Sequence, residues 1–331
     1  MGTDQSIQDK TRILITGALG QIGSELTMKL RERFGGENVV ASDIKTDPKP
    51  EIRDSGPYTI LDVTDPEGIL AAVKKYGINT IYHMSAILSA TGEKNPALAW
   101  KVNINGTRNI LDAVRDLDLN RIFVPSSIAV FGPETPRDHT PQETILLPKT
   151  MYGITKVAGE LLCDYYVKKF GVDVRGVRYP GIISHKTLPG GGTTDYAVEI
   201  FYAAVKNGHY HCFVKKDTVL PMMYMPDCLK ATMDLMDAEY HNLKHHSSFN
   251  ISGMSFSAGD LADEIRRLIP GFSCDFKPDF RQNIADTWPK SIDDTPAHEE
   301  WGWAPGYDLP RMAEEMISVL SQRLAEGTLG Y

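Results

Sequence analysis

The stretch Thr16-Gly17-Ala18-Leu19-Gly20-Gln21-Ile22-Gly23 decides the fold of this 331-residue chain. The apolar run at residues 12–16 predicts a short buried strand, and residues 24–34 carry apolar side chains at helical spacing. The glycine spacing Gly17-x-x-Gly20-x-x-Gly23 therefore lies in a turn between a first strand and a first helix. Such a turn lets the backbone approach a ligand closely, and the helix N-terminus presents free N–H groups to a diphosphate.

Two acidic residues follow the next predicted strands. Asp43 ends the second strand, twenty residues beyond Gly23. A carboxylate there accepts hydrogen bonds from both ribose hydroxyls of NAD and repels the additional phosphate of NADP, although Lys45 weakens that exclusion a little. Asp62 ends the third strand, where it either meets the adenine amino group or caps the helix after Pro66. The sequence therefore predicts an NAD site.

The first half of the chain alternates predicted strands and helices. The expected strands after the second are residues 58–61, 80–83, 121–124 and 172–178, and the expected helices are residues 69–76, 96–117 and 152–170. This alternation predicts an α/β fold of the Rossmann type, a doubly wound parallel sheet with ligands at the carboxyl ends of its strands.

The regular alternation of predicted strands and helices ends after about residue 181. We expect an NAD-binding domain over residues 1–180, with its core from about residue 11, and a smaller, interleaved substrate domain over residues 181–331, some of whose segments return to the sheet. In the second part, residues 193–195 are expected to cap a helix at 196–207. Helices are also expected near 227–236 and 257–268, the latter opened by a capping box of Ser257 and Asp260.

Composition excludes several classes of function. The net charge of −8 argues against a general nucleic-acid binder, and no apolar run of about 18 residues predicts a membrane span. Residues 1–10 resemble neither a signal peptide nor a transit peptide, so a cytoplasmic location is expected, or the mitochondrial matrix for a processed form. The pairs His209/His211 and His245/His246 are expected to be solvated surface histidines, and no clustered ligands predict a metal.

A tyrosine and a lysine at helical spacing, Tyr152-x-x-x-Lys156, are the strongest catalytic candidates. Residues four apart share one helix face. A lysine beside a phenol lowers its pKa, as does an oxidised nicotinamide ring, and a phenolate is a general base for an alcohol proton. Ser127, at the end of the fifth strand, adds a hydroxyl.

Together with Asn103 and residues 130–132, 178–181 and 301–305, these motifs resemble the extended short-chain dehydrogenase/reductase family over nearly the whole chain. The resemblance implies that Ser127, Tyr152 and Lys156 are catalytic. It also suggests a homodimer through the helices 96–117 and 152–170. The alternative is that the apolar faces of these helices belong to the hydrophobic core. The resemblance further implies that NAD contacts Gly17, Gly20, Gln21, Ile22, Gly23, Asp43, Ile44, Asp62, Val63, Met84, Ser85, Ala86, Asn103, Tyr152, Lys156, Tyr179, Gly181 and Ile182.

Most extended members act on nucleotide sugars, as epimerases or dehydratases, and this chain departs from their pattern at two places. Gly181 stands where they have an asparagine, and Leu220 stands where they have an arginine. Little charge therefore remains to bind a nucleotide diphosphate.

Other stretches resemble the short-chain branch of L-threonine 3-dehydrogenases. They are residues 86–93, 123–133, 179–184, 189–198, 220–224 and 288–289. One small departure is Ser127, where some members have threonine. The resemblance implies NAD-dependent, metal-independent oxidation of L-threonine to 2-amino-3-oxobutyrate.

The residues suit a small zwitterionic substrate. Thr193 and Thr194 offer hydroxyls and N–H groups to a carboxylate, unless Thr193 only caps its helix. Trp288 either closes the pocket or belongs to the core, and the glycines at 190–192 suit a lid hinge. The expected substrate-binding residues are Ser89, Ser126, Ser127, Tyr152, Thr193, Thr194 and Trp288. Two other functions stay open, a nucleotide-sugar epimerase or dehydratase and a non-catalytic NAD sensor.

Overall fold

The structure, a computed structural model, describes residues 11–187 and 190–329. The prediction for residues 1–10, and Pro189 at the start of the glycine loop, lie outside these residues. The strands are β1 (Ile13–Thr16), β2 (Val39–Asp43), β3 (Tyr58–Ile60), β4 (Thr80–His83), β5 (Arg121–Phe123), β6 (Ser126–Ser127), β7 (Val174–Arg175), β8 (Val177–Tyr179), β9 (Gly181–Ile183), β10 (His209–Cys212), β11 (Val219–Tyr224), β12 (Phe249–Asn250), β13 (Met254–Ser257) and β14 (Ser273–Phe276). The helices are α1 (Gln21–Phe34), α2 (Pro50–Asp54), α3 (Pro66–Tyr76), α4 (Ser89–Lys94), α5 (Pro96–Trp100), α6 (Thr107–Asp116), α7 (Met151–Phe170), α8 (Tyr196–Asn207), α9 (Met225–Asp237), α10 (Ala258–Leu268), α11 (Phe280–Ala285), α12 (Thr295–Trp301) and α13 (Leu309–Ala325).

Six parallel strands form the central sheet, in the order β3-β2-β1-β4-β5-β7. Side chains of β1 alternate between the two faces: Ile13 and Ile15 pack with α1 and α9, whereas Leu14 packs with α3 and α6. The predicted Rossmann-type, doubly wound fold is confirmed. The strand order reverses between β1 and β4, which is where such sheets bind ligands.

The predicted strand 172–178 is wrong as one element, because the chain bends at Gly176 and enters a second sheet. β7 pairs with β5, whereas β8 pairs with β6 and β12. A Cβ atom at Gly176 would lie 2.1 Å from the carbonyl oxygen of Val124. Only glycine therefore fits at this crossing, which leads the chain from the central sheet towards the cleft described below.

The predicted helix 96–117 is interrupted by a π-helical turn, Lys101–Gly106, between α5 and α6. The buried amide of Asn103, in the middle of this turn, accepts a hydrogen bond from Ile87 N (2.8 Å) and donates to Ile87 O (3.0 Å). The turn therefore holds the segment that follows β4. Single π turns inside helices are frequent at functional sites.

The second half of the chain forms its own apolar core around the sheet β13-β11-β9. Helices α8, α10 and α13 pack there through buried side chains such as Phe201, Leu261 and Met316. The predicted capping box of Ser257 and Asp260 at the start of α10 is confirmed. Strands β10 and β14 form a separate two-stranded parallel sheet. No helix in residues 11–187 and 190–329 has the length and apolar character that crossing a membrane requires.

Candidate active site

An elongated cleft lies at the carboxyl ends of β1 and β4. It consists of two adjoining cavities, of about 230 Å³ and about 330 Å³, that share Gly17, Gly20, Met84 and Ala86 as walls. The first cavity reaches the predicted catalytic residues, and the second reaches Asp43. The cleft therefore joins the two ends of the predicted site along the glycine-rich turn.

The turn between β1 and α1 is built for a close backbone approach. Gly17 has a φ of +66°, and a Cβ atom on it would lie 2.8 Å from Ser85 N. A Cβ atom on Gly23 would lie 2.2 Å from Gly17 O. α1 begins at Gln21, whose buried Nε2 has no hydrogen-bond partner within the described chain. Unpaired N–H groups at a helix start beside a glycine cradle fit a diphosphate.

The second cavity holds the acidic residues predicted to contact a nucleoside. Asp43 Oδ2 accepts a hydrogen bond from Leu19 N (3.1 Å), which ties the carboxylate to the glycine turn. Asp62 accepts from Thr64 N (2.8 Å), and it is Asp65 that caps α3, so the capping alternative for Asp62 is excluded. The predicted cofactor residues that line this cavity are Gly17, Gly20, Asp43, Ile44, Asp62, Val63, Met84, Ser85 and Ala86.

The three predicted catalytic residues meet in the first cavity. Thr150 caps α7 by accepting from Gly153 N (3.0 Å), which places Tyr152 in the first turn of the helix. The Tyr152 phenol shares a hydrogen bond with the Ser127 hydroxyl. Lys156 Nζ donates to Pro125 O (2.7 Å) and lies 5.6 Å from the centre of the Tyr152 ring. The arrangement is that of a phenol with a hydroxyl and an ammonium group beside it.

The pKa of the Tyr152 phenol is raised rather than lowered as expected, because burial is the largest effect on it. Burial raises the pKa of Tyr152 to about 12, and the hydrogen bond from Ser127 offsets only part of that effect. Burial also lowers the pKa of Lys156 to about 8. Both shifts have the same cause, because desolvation disfavours whichever form carries the charge. A further positive charge beside the phenol is therefore needed to make it a base near neutral pH.

Most of the predicted substrate residues line the same cavity. Ser89 and Thr193 are almost fully buried, with hydroxyl oxygens 3.5 Å apart. Thr194 lies beside them. Trp288 is only 5% exposed, and it both lines the cavity and packs in the second core. The two alternatives for this tryptophan are thus compatible.

The loop that carries the threonines is closed by Asp195, a residue whose role the sequence does not reveal. The sequence predicts that residues 193–195 cap α8, but the structure shows no side-chain capping hydrogen bond at the start of that helix. Asp195 Oδ2 instead accepts from Gly191 N (3.0 Å) and Gly192 N (2.7 Å). Burial raises the pKa of Asp195 to about 6 despite these two bonds. The only sequence signal is an aspartate three and four residues after two glycines.

Two predicted cofactor residues make other contacts. Asn103 is not among the cleft walls, because its amide binds Ile87, and it supports the site from behind. Tyr179 borders the cleft, but its phenol is hydrogen-bonded to Thr232 in the core, so the far end of its ring points away. The predicted cofactor residues along the first cavity are Gly17, Gly20, Gln21, Ile22, Gly23, Met84, Ala86, Tyr152, Lys156, Tyr179, Gly181 and Ile182.

Ser126 makes a contact that changes its predicted part in substrate binding. Its hydroxyl donates to Glu160 Oε1 (2.5 Å), so it offers a substrate only an acceptor. Glu160 in turn accepts from Arg178 Nε and Nη2, each at 2.9 Å, in a buried bidentate ion pair. The pair joins α7 to β8 beneath the catalytic residues. The sequence gives no local sign of it, because its partners lie on different elements.

The fold and the cleft define a dinucleotide-binding protein of the Rossmann type. Residues 13–252 match the NAD dependent epimerase/dehydratase family. The chain belongs to this family. An uncharacterized epimerase/dehydratase of Staphylococcus haemolyticus (strain JCSC1435) is 49% identical over 313 residues, which cover 94% of this chain and 98% of that protein.

Solved structures narrow the likeness to one branch. The L-threonine dehydrogenase of Clostridium difficile is 49% identical, with a TM-score of 0.92 over 97% of this chain and 99% of that one. A monomeric L-threonine 3-dehydrogenase from a metagenome is 51% identical, with a TM-score of 0.90 over 94% and 99% of the two chains. The predicted resemblance to L-threonine 3-dehydrogenases is confirmed.

Proposed function

We propose that this protein oxidises the side-chain alcohol of L-threonine to give 2-amino-3-oxobutyrate, with NAD as the hydride acceptor. One observation carries the proposal: Ser127, Tyr152 and Lys156 meet in a cavity whose other described walls are mostly glycine, hydroxyl and apolar side chains. None of those described walls is an arginine, the residue best suited to bind a diphosphate outside the cofactor site. A small zwitterion suits such a cavity better than a nucleotide sugar.

The chemistry follows from the positions of three side chains. The Tyr152 phenolate takes the hydroxyl proton of the substrate while the hydride leaves the carbon that carries this hydroxyl group. Ser127 accepts from Ala129 N (3.2 Å), which orients its hydroxyl to donate to the developing carbonyl oxygen. Bound NAD supplies the hydride acceptor and, through its oxidised ring, positive charge. Lys156 is placed to bind the nicotinamide ribose and to favour the phenolate.

The remaining residues are proposed to hold the two ligands. The glycine turn at residues 17–23 binds the diphosphate, and Asp43 accepts hydrogen bonds from the adenosine ribose. Thr193, Thr194 and Ser89 bind the threonine carboxylate, and Trp288 covers the substrate methyl group. The loop closed by Asp195 excludes water from the reacting carbon.

The direct test measures NADH formation by absorbance, with NAD and L-threonine, allo-threonine or serine as substrates. We expect rapid reduction with L-threonine, and a loss of about 10²–10⁴-fold in kcat for Tyr152→Phe with NAD binding retained. Tyr240→Phe, a change at an exposed tyrosine outside the cleft, is the matched control. NAD binding without reduction by any amino acid, together with calorimetric binding of UDP, would replace this proposal with a nucleotide-sugar enzyme. NAD binding without any turnover would leave only a sensor.

We also propose that the protein forms a homodimer through α5 and α7. Large apolar side chains on these helices are exposed, so they do not belong to the core: Leu98, Trp100, Ile154, Leu161 and Tyr165. We expect a dimer in analytical ultracentrifugation and a monomer for Leu161→Glu, with Leu324→Glu on α13 as the control at another exposed leucine. A monomeric wild-type protein, as described for the metagenome relative, would contradict this proposal.

A further inference from the structure

Three side chains capable of binding a metal meet on the small sheet of β10 and β14. His209 and His211 are two residues apart on β10, so their side chains share one face of the strand. The parallel register places Asp275 of β14 opposite His211. His209 is partly exposed and His211 is exposed, as expected for surface histidines. The expectation that no ligands cluster near them is wrong, because Asp275 comes from a strand far along the chain.

The distances within this cluster match those around a single ion. Asp275 Oδ2 lies 3.7 Å from His209 Nε2 and 3.4 Å from His211 Nδ1, and the two ring nitrogens are 3.4 Å apart. Ligands bound at about 2.1 Å in tetrahedral geometry are separated by about 3.4 Å. The three atoms thus form a nearly equilateral triangle of suitable size, with the fourth position open to water.

A hydrogen bond outside the triangle orients one of the ligands. His209 Nδ1 lies 2.8 Å from the hydroxyl oxygen of Ser273. A proton held on Nδ1 by this bond leaves the lone pair of Nε2 free, which is the usual arrangement behind a metal-bound histidine. His209 Nε2 is nearly equidistant from both nitrogens of His211, at 3.4 and 3.3 Å. The exposed ring of His211 therefore has to turn to aim one nitrogen at the ion.

We propose that His209, His211 and Asp275 bind one divalent transition-metal ion of the zinc class. Two imidazoles and a carboxylate are ligands that Zn²⁺ accepts readily, whereas Mg²⁺ and Ca²⁺ prefer oxygen ligands alone. None of the three residues lines the cleft, so the ion takes no part in hydride transfer. It clamps β14 to β10, and the chain after β14 continues through α11 to Trp288 in the cleft wall.

The test uses tag-free, metal-stripped full-length protein, because a histidine tag would itself bind zinc. Calorimetric titration with ZnCl₂ is expected to show one saturable site. Co²⁺ as a spectroscopic probe should give the intense visible absorption of a four-coordinate ion. His209→Ala and Asp275→Asn should abolish both signals, and Ser273→Ala should weaken binding about 10–100-fold. His241→Ala, at an exposed histidine outside the cluster, should bind like the wild type.

The changed residues lie at the surface, so circular dichroism melts can verify that each variant folds. For the wild type, the melting temperature should rise with Zn²⁺ concentration, because an ion that binds only the folded state stabilises it. That rise should be absent in Asp275→Asn. The assignment would be overturned if the wild type showed no saturable zinc binding. It would also be overturned if His209→Ala and Asp275→Asn folded and bound zinc as tightly as the wild type. These measurements need neither NAD nor threonine, so they stand apart from the proposed function.

Discussion

Replacing the buried lysine beside the phenol offers a quantitative test of how this site generates its base. With NAD bound, Lys156→Met should raise the pKa of the Tyr152 phenol, because it removes the positive charge that Lys156 places beside the ring. Lys156 Nζ lies 5.6 Å from the ring centre. At that distance a unit charge stabilises a phenolate by about 3 kcal/mol at an effective dielectric constant of about 20. This energy corresponds to about 2 pKa units.

The assay is the pH profile of kcat/KM for L-threonine at saturating NAD. At pH 7 we expect Lys156→Met to be about 100-fold slower than the wild type, because about one hundredth as much phenolate is present. The deficit should shrink as the pH rises past about 8, since burial lowers the pKa of Lys156 to about 8 and the wild-type lysine then loses its own charge. Lys168→Met, at an exposed position on the same helix, is the control. Cofactor affinity is measured separately by NADH fluorescence.

A loss in Lys156→Met that is equal at every pH would refute the electrostatic argument. It would show that Lys156 acts only by holding the cofactor. Wild-type activity at pH 7 would refute both roles.

Three further predictions concern residues around the cleft. Asp43→Ala should lower the ratio of kcat/KM with NAD to that with NADP, because the carboxylate that repels the extra phosphate is gone. An unchanged ratio would show that Asp43 does not determine the cofactor preference. The KM for L-threonine should rise as the pH falls below about 6, because protonation of Asp195, whose pKa burial raises to about 6, weakens its hold on the loop. Asp195→Asn should show a high KM at every pH. A wild-type KM that does not change with pH would contradict this role of Asp195 in closing the loop. Arg178→Met should lower the free energy of unfolding in urea by about 3–5 kcal/mol, because the buried Glu160 carboxylate loses its ion-pair partner; a loss under about 1 kcal/mol would indicate that Glu160 takes up a proton instead.

Short-range patterns were sufficient to predict the parts of the site whose partners are close in sequence. The glycine spacing at residues 17–23 predicts a tight turn, because the glycines stand between the apolar pattern of a strand and the helical pattern that follows it. Tyr152 and Lys156 are neighbours wherever residues 152–156 are helical, since a step of four residues is slightly more than one helical turn. Asp43 follows from the end of a strand that the apolar pattern alone indicates.

Contacts between distant segments were beyond such patterns. The break at Gly176 depends on the carbonyl of Val124, which occupies the space of a side chain. The Ser126 hydroxyl donates its hydrogen to Glu160, which belongs to another element of the fold. Nothing next to either residue in the sequence encodes its partner.

By itself, the sequence determined the Rossmann-type fold. It also predicted an NAD site along the glycine turn and the reactive side chains Ser127, Tyr152 and Lys156, because these predictions depend largely on local spacing. Only the tertiary structure decided the protonation of those side chains, the loop closure by Asp195 and the meeting of His209, His211 and Asp275. The physical reason is common to all three. Desolvation and hydrogen bonding act through space, and the groups that exclude water or supply a partner come from segments whose proximity the fold alone creates.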